Sequence, residues 1–277
     1  MIENKMQQKI YRSFFVGVMF AHLSVFQAIA QDFALRQLEN SPRHHEWVEV
    51  KSENRTVHCF VAYPEVAEKA PAVLIIHENR GLTDWVRSFA DQVAALGYVA
   101  IAPDLLSGFS KEKQKTSDFA SSDEAREALY QLDKAQILLD LDAVQNYIRA
   151  VPASDGKVVV AGFCWGGTQT FRYSLHNADF KAALVFYGSP PAPESDFSLV
   201  AVPVYGFYGE NDQRINATIP ITEEKMKAAN KQYLPQVYAG AGHAFMRLGE
   251  DPAGTEANQK ARKEAWERFQ EIMQGLK

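Results

Sequence analysis

Residues 157–168 read Lys-Val-Val-Val-Ala-Gly-Phe-Cys-Trp-Gly-Gly-Thr, and few architectures can accommodate such a stretch. It opens as a β-branched apolar run, Val158 to Ala161, of the kind covered on both faces of a sheet. A Gly-x-Cys-x-Gly turn follows, and then a segment of helical character. This is the spacing of a nucleophile elbow, with Cys164 where most such turns carry serine. The reason is steric. A side chain presented on a very tight strand-to-helix turn needs neighbours without a Cβ, so Gly162 and Gly166 make room. The turn would set Cys164 at the carboxyl edge of a sheet and at the positive end of the next helix, which favours the reactive thiolate. A Gly-rich turn around an inert buried cysteine shares the spacing, so the assignment depends on partners elsewhere.

The flanking chain alternates between two periods. Pro71 to Ile76, Tyr98 to Ala102, Ala182 to Tyr187, Val202 to Tyr208 and Leu234 to Tyr238 read as short strands. Between and after them, helical patterns cover 84–96, with Thr83 or Asp84 as cap and Gly97 as stop. Further helices are expected over 122–149 as one long element, 221–232 and 256–274. Upstream, Trp47 to Val50 and Thr56 to Tyr63 read as an antiparallel pair at one sheet edge. Residues 107–121 are polar and expected to be solvated. No repeat or linker divides residues 31–277. The alternation predicts an α/β fold: a single domain with a mostly parallel, doubly wound sheet flanked by helices. Ligands of such sheets bind at the carboxyl ends of the strands.

Three polar clusters fall at such ends. His77-Glu78-Asn79-Arg80-Gly81 follows one strand, Gly209-Glu210-Asn211-Asp212 another, and Ala239 to Phe245, with His243, a third. With Cys164, the chain order is nucleophile, acid, base, as in α/β-hydrolases. His243 can take the thiol proton and return it to a leaving group. Asp212 can fix the imidazole tautomer, with Glu210 a rival in the same loop. The backbone N–H groups of Asn79 and Trp165 are candidates for an oxyanion hole.

The formal net charge of −5 gives no basic footprint for nucleic acid. Lys5, Lys9 and Arg12 precede a mainly apolar stretch, Phe14 to Ala30, ending Ala28-Ile29-Ala30. That reads as a signal peptide, residues 1–30, cleaved after Ala30, and predicts a periplasmic or secreted protein without stable membrane association; an uncleaved anchor or an amphipathic first helix is the alternative, and a non-functional segment would leave the protein cytoplasmic. Cys59 lies in an apolar strand-like run and reads as a small core hydrophobe, not the disulfide partner of Cys164. His44-His45 has neither helical spacing nor a nearby cysteine, so no metal site is expected. No cofactor is expected, and oligomeric state leaves no trace in the sequence.

Gly-Phe-Cys-Trp-Gly-Gly, His-Glu-Asn-Arg-Gly, Gly-Tyr-Val-Ala-Ile-Ala-Pro-Asp-Leu-Leu and Gly-His-Ala-Phe together resemble the dienelactone hydrolase family over residues 45–275. The resemblance implies an α/β-hydrolase fold and a Cys164–His243–Asp212 triad that cleaves a small ester or lactone through an acyl-thioenzyme. It implies that Glu78 contacts the resting thiol and helps generate the thiolate. It also implies that Arg247, shortly after His243, holds a substrate carboxylate. The family's other carboxylate-binding arginine has no counterpart in Leu106-Ser107-Gly108, which leaves the substrate open. A thioesterase or another acyl hydrolase would use the same triad, and a non-catalytic binding protein could retain the fold.

Overall fold

The computed structural model describes residues 33–276; the segment read as a signal peptide lies outside them. Strands β1 (His45–Ser52) and β2 (Arg55–Ala62) pair as an antiparallel hairpin, turned at Glu53 with φ 47°. Then come β3 (Ala70–Ile76), β4 (Val99–Pro103), β5 (Ser154–Phe163), β6 (Ala183–Phe186), β7 (Val204–Gly209) and β8 (Tyr233–Tyr238). They join one eight-stranded sheet in the order β1-β2-β4-β3-β5-β6-β7-β8. From β4 onward every pairing is parallel, so the expected doubly wound sheet with an antiparallel edge is what forms.

Adjacent strand residues point to opposite faces, and both faces are covered. Val73, Ile75, Phe163, Phe186 and Phe207 pack on one side against the helices Asp84–Ala95 and Glu256–Gly275. Leu74, Ile76, Val158, Val160 and Val185 pack on the other against Lys134–Ala150 and Trp165–His176. The fully buried Phe163 ring touches Phe89 and Phe186 at 4.7 Å each, so aromatic contacts hold the base of the elbow from two directions. The chain winds from β3 to β4 one way and from β5 to β8 the other. The order therefore reverses between β3 and β5, where open α/β sheets place their ligands. Ile76 pairs with Gly162, which brings the loop after β3 level with Cys164.

Several sequence expectations change. The helix expected over 122–149 is two helices, Ser122–Gln131 and Lys134–Ala150. Leu132 is extended and Asp133 caps the second helix, accepting from the amides of Ala135 and Gln136, so a local cap interrupts a continuous apolar period. The 221–232 helix starts earlier and ends earlier, at Ile219–Ala228, with Pro220 in its first turn. Residues 33–39 are helical, an element the sequence reading lacked. The segment that follows is clasped to the core: Ser41, Arg43 and His45 all reach the buried Asp91 carboxylate. Residues 107–121 are tied down at Thr116. Asp104 accepts from Thr116 N at 2.6 Å and Thr116 Oγ1 at 2.7 Å, and that hydroxyl accepts from Leu82 N at 2.9 Å. Cys59 and Cys164 are both free, with Cys59 buried.

Candidate active site

The elbow begins where β5 ends. Cys164 has φ 55° and ψ −115°, a strained backbone for a residue with a side chain, and it caps the helix Trp165–His176. Its own N–H is anchored on Phe186 O at 3.0 Å. Close approach explains the glycines. A Cβ on Gly166 would lie 2.3 Å from the carbonyl oxygens of both Ile76 and His77, and one on Gly162 would lie 2.3 Å from Gly166 O. The elbow can therefore press against the loop after β3 only because these positions carry no side chain.

His243 bridges nucleophile and acid. Its Nε2 lies 3.2 Å from Cys164 Sγ, and its Nδ1 lies 2.5 Å from Asp212 Oδ2. Asp212 is buried and follows β7, and His243 sits in the turn after β8. Burial alone lowers the imidazole pKa, but the hydrogen bonds to Asp212 and Cys164 and the charge of both outweigh it and push it up to about 9. A proton drawn onto this ring is held well past neutrality. Glu210, the rival acid, instead accepts from the Gly240 amide at 2.7 Å, and Asp212 is the carboxylate beside the imidazole.

The amides of Asn79 and Trp165 donate to no protein group among the described residues. Trp165 is the first residue of its helix, where an N–H has no intrahelical acceptor. Neither donor is committed to another described group of the protein. His77, unassigned from sequence, braces them. It is fully buried and neutral, since burial lowers its pKa. Its Nδ1 lies 2.7 Å from Glu78 O, and its Nε2 accepts from Leu105 N at 3.2 Å. Its ring stacks on Trp165 at 5.5 Å.

Glu78 differs from expectation. The thiol points to His243, and Glu78 Oε2 instead accepts from Arg247 Nε at 2.8 Å in a buried ion pair. Glu78 Oε1 makes only a long contact, 3.5 Å, with the Tyr187 hydroxyl. Arg247 is thereby already engaged by a carboxylate of the chain itself. Tyr187 is the other residue the sequence did not mark. It is fully buried, holds φ 41°, and sets its ring edge against the His243 imidazole at 5.1 Å. Its only sequence signal was its place at the end of a strand.

Cys164, Trp165, Gln169, Tyr187 and Ile215 face a cavity of about 340 Å³, roomy enough for a small ester. His45 bonds Asp91 and His44 stacks on Tyr63. Among the described residues no three His, Cys, Asp or Glu side chains cluster as metal ligands. None of their helices is long and apolar enough to cross a membrane.

The family model described as "Dienelactone hydrolase family" matches residues 57–276. A Salmonella typhimurium protein, whose name proposes a carboxymethylenebutenolidase, is 30% identical over 234 residues, 80% of this chain and 84% of the relative. A Saccharolobus solfataricus protein with the same proposed activity in its name is 27% identical over 251 residues, 80% of this chain and 95% of the relative. Among solved structures, a proposed dienelactone hydrolase from Klebsiella pneumoniae superposes with TM-score 0.73 at 26% identity, covering 83% of this chain and 98% of that one. An esterase from Pyrobaculum calidifontis shares the fold alone, with TM-score 0.63 at 15% identity over 91% of this chain and 92% of that one.

Proposed function

The chain belongs to the dienelactone hydrolase family and is a carboxylic ester hydrolase; from that premise we propose that it opens small esters or lactones through a Cys164–His243–Asp212 triad and an acyl-thioenzyme. The observation that carries this reading is the single imidazole held between the Cys164 sulfur and the Asp212 carboxylate. His243 takes the thiol proton, and Cys164 attacks the carbonyl carbon. The oxygen that gains charge is received by the Asn79 and Trp165 amides. His243 then protonates the leaving oxygen, and a water activated by the same ring hydrolyses the thioester. Asp212 holds the ring in the tautomer that presents Nε2 to sulfur and stabilises the imidazolium. Glu78 and Arg247 act as a pair: a substrate carboxylate that takes Arg247 displaces Glu78, whose freed charge then favours transfer of the thiol proton to His243.

The test uses an activated aryl ester. Cys164→Ala and His243→Ala should each abolish turnover while circular dichroism stays native, and mass spectrometry should find the acyl group of a slow substrate on Cys164. Turnover at the wild-type rate in either variant would sink the mechanism. Residues 1–30 enter the proposal as a removable export signal, so protein recovered outside the cytoplasm should begin at Gln31 by intact mass.

A further inference from the structure

The cavity at Cys164 does not end at the thiol. Its outer wall is formed by Lys134, Arg172 and Arg214. A second hollow of about 540 Å³ shares Lys134 and Arg172 with it and continues past Leu138, His176 and Pro190. Lys134 and Arg172 line both hollows, so the second lies beside the Cys164 cavity across these cations. No aspartate or glutamate lines either hollow.

None of these three cations is tied to a carboxylate among the described residues. Arg43, Arg149 and Arg247 each reach a carboxylate. Lys134 and Arg172 make no side-chain hydrogen bond or ion pair among the described residues, and Arg214 makes only a long bond to Ser189 Oγ at 3.4 Å. Together the half-buried Arg172 and the exposed Lys134 and Arg214 create a local positive potential beside the Cys164 cavity on a chain of net charge −5. An incoming anion would relieve their mutual repulsion.

Their placement gives the reach. Cys164, Thr168 and Arg172 follow at helical spacing, so Arg172 lies on the helix face that rises from the elbow. Eight residues put its Cα about 12 Å along the axis, and helical side chains lean back toward the N-terminus. Its guanidinium therefore serves a group several bonds from the reacting carbonyl. Arg214 reaches the same wall from the turn after Asp212.

We propose that Arg172, Arg214 and Lys134 form an anion-recognition subsite that selects esters bearing a carboxylate or phosphate several bonds from the scissile carbonyl. The subsite is separate from the Glu78–Arg247 pair, and as a specificity device it rests on Cys164 being the nucleophile.

The experiment compares p-nitrophenyl hemiesters of dicarboxylic acids with four, six and nine methylenes against their methyl-capped neutral counterparts, plus a phosphate-terminated analogue of the best length. For at least one length, kcat/KM should favour the charged ester by about tenfold or more, with the preference shrinking at high salt. A gain for both anions assigns a general anion site, and a gain for one assigns that anion. The Arg172→Gln/Arg214→Gln variant should lose most of the preference, whereas Lys227→Gln, outside both hollows, should keep it. Hydrolysis of the neutral esters with no preference at any length overturns the subsite and leaves the hydrolase reading standing. If no ester is turned over, the hydrolase reading fails instead, and calorimetric binding of the same diacids decides the subsite. Binding that is lost in the double variant supports it, and binding that is absent or unaffected overturns it.

Discussion

Replacing Arg247 with methionine should cost far more than a surface ion pair can explain. The Arg247 and Glu78 side chains are only 17% and 5% exposed, and their 2.8 Å contact is the one strong bond the Glu78 carboxylate makes among the described residues. Exposed pairs contribute about 0–1 kcal/mol, but stripping one partner from a buried pair costs about 3–5 kcal/mol, because a charge is left without solvent or counter-ion. Arg247→Met leaves Glu78 with only the Tyr187 hydroxyl at 3.5 Å, so the upper range applies. Glu78→Gln/Arg247→Met removes both charges and should recover much of that loss. The cycle of four proteins, read by urea denaturation with tryptophan fluorescence, should give a coupling energy of about 2 kcal/mol or more at unchanged m-value. A loss below about 1 kcal/mol, or effects of the two substitutions that add to within about 0.5 kcal/mol, would refute the idea that this pair is a buried electrostatic unit.

The raised His243 pKa makes a stability prediction with a definite sign. Its value of about 9 lies above the ordinary 6.5, so the ring's contribution is complete below about pH 6.5 and is lost as pH rises through 9. The gap in melting temperature between wild type and His243→Gln should therefore narrow across that window; a gap that widens contradicts the assignment. In the same window kcat/KM should fall on its alkaline side, and Asp212→Asn should move that fall to lower pH by removing one of the groups that raise the pKa. Gly166→Ala should cost about 1–3 kcal/mol and at least about 10²-fold in kcat, because its Cβ meets two backbone carbonyl oxygens at 2.3 Å and neither can swing aside. An alanine variant with wild-type kcat would show that the loop after β3 yields freely.

What could be read from sequence was whatever a local pattern encodes. Cys164, Asp212 and His243 each follow a segment that reads as a strand, so their order alone suggested one sheet edge. The choice between Asp212 and Glu210 was not local: it turns on the Gly240 amide, 30 residues on, which takes up Glu210. The break at Leu132-Asp133 carried a cap signal, but the apolar period runs straight through it and was the stronger pattern. The pairing of Glu78 with Arg247 spans 169 residues and depends on the turn of Phe245–Leu248, which has no sequence signature of its own. Tyr187 escaped notice because nothing in its neighbours marks a left-handed backbone at a strand end. The cations beside the cavity come from separate helices, and only packing shows that they share a wall.

The bonds that make the site are spread unevenly along the chain, and this bears on when the protein becomes reactive. Asp212 and His243 are 31 residues apart, Cys164 and His243 79, and Glu78 and Arg247 169. Contacts of such separation close late, because the intervening loops must first be ordered. On the ribosome, Cys164 emerges long before its base, and until residue 243 is in place no imidazole stands beside the sulfur. In the proposed triad the thiol would therefore gain its base only at a late step of folding. Catalytic turnover then becomes a stringent reporter of completed folding, more demanding than helix content or compactness, since it requires the final turn of the sheet edge to be home.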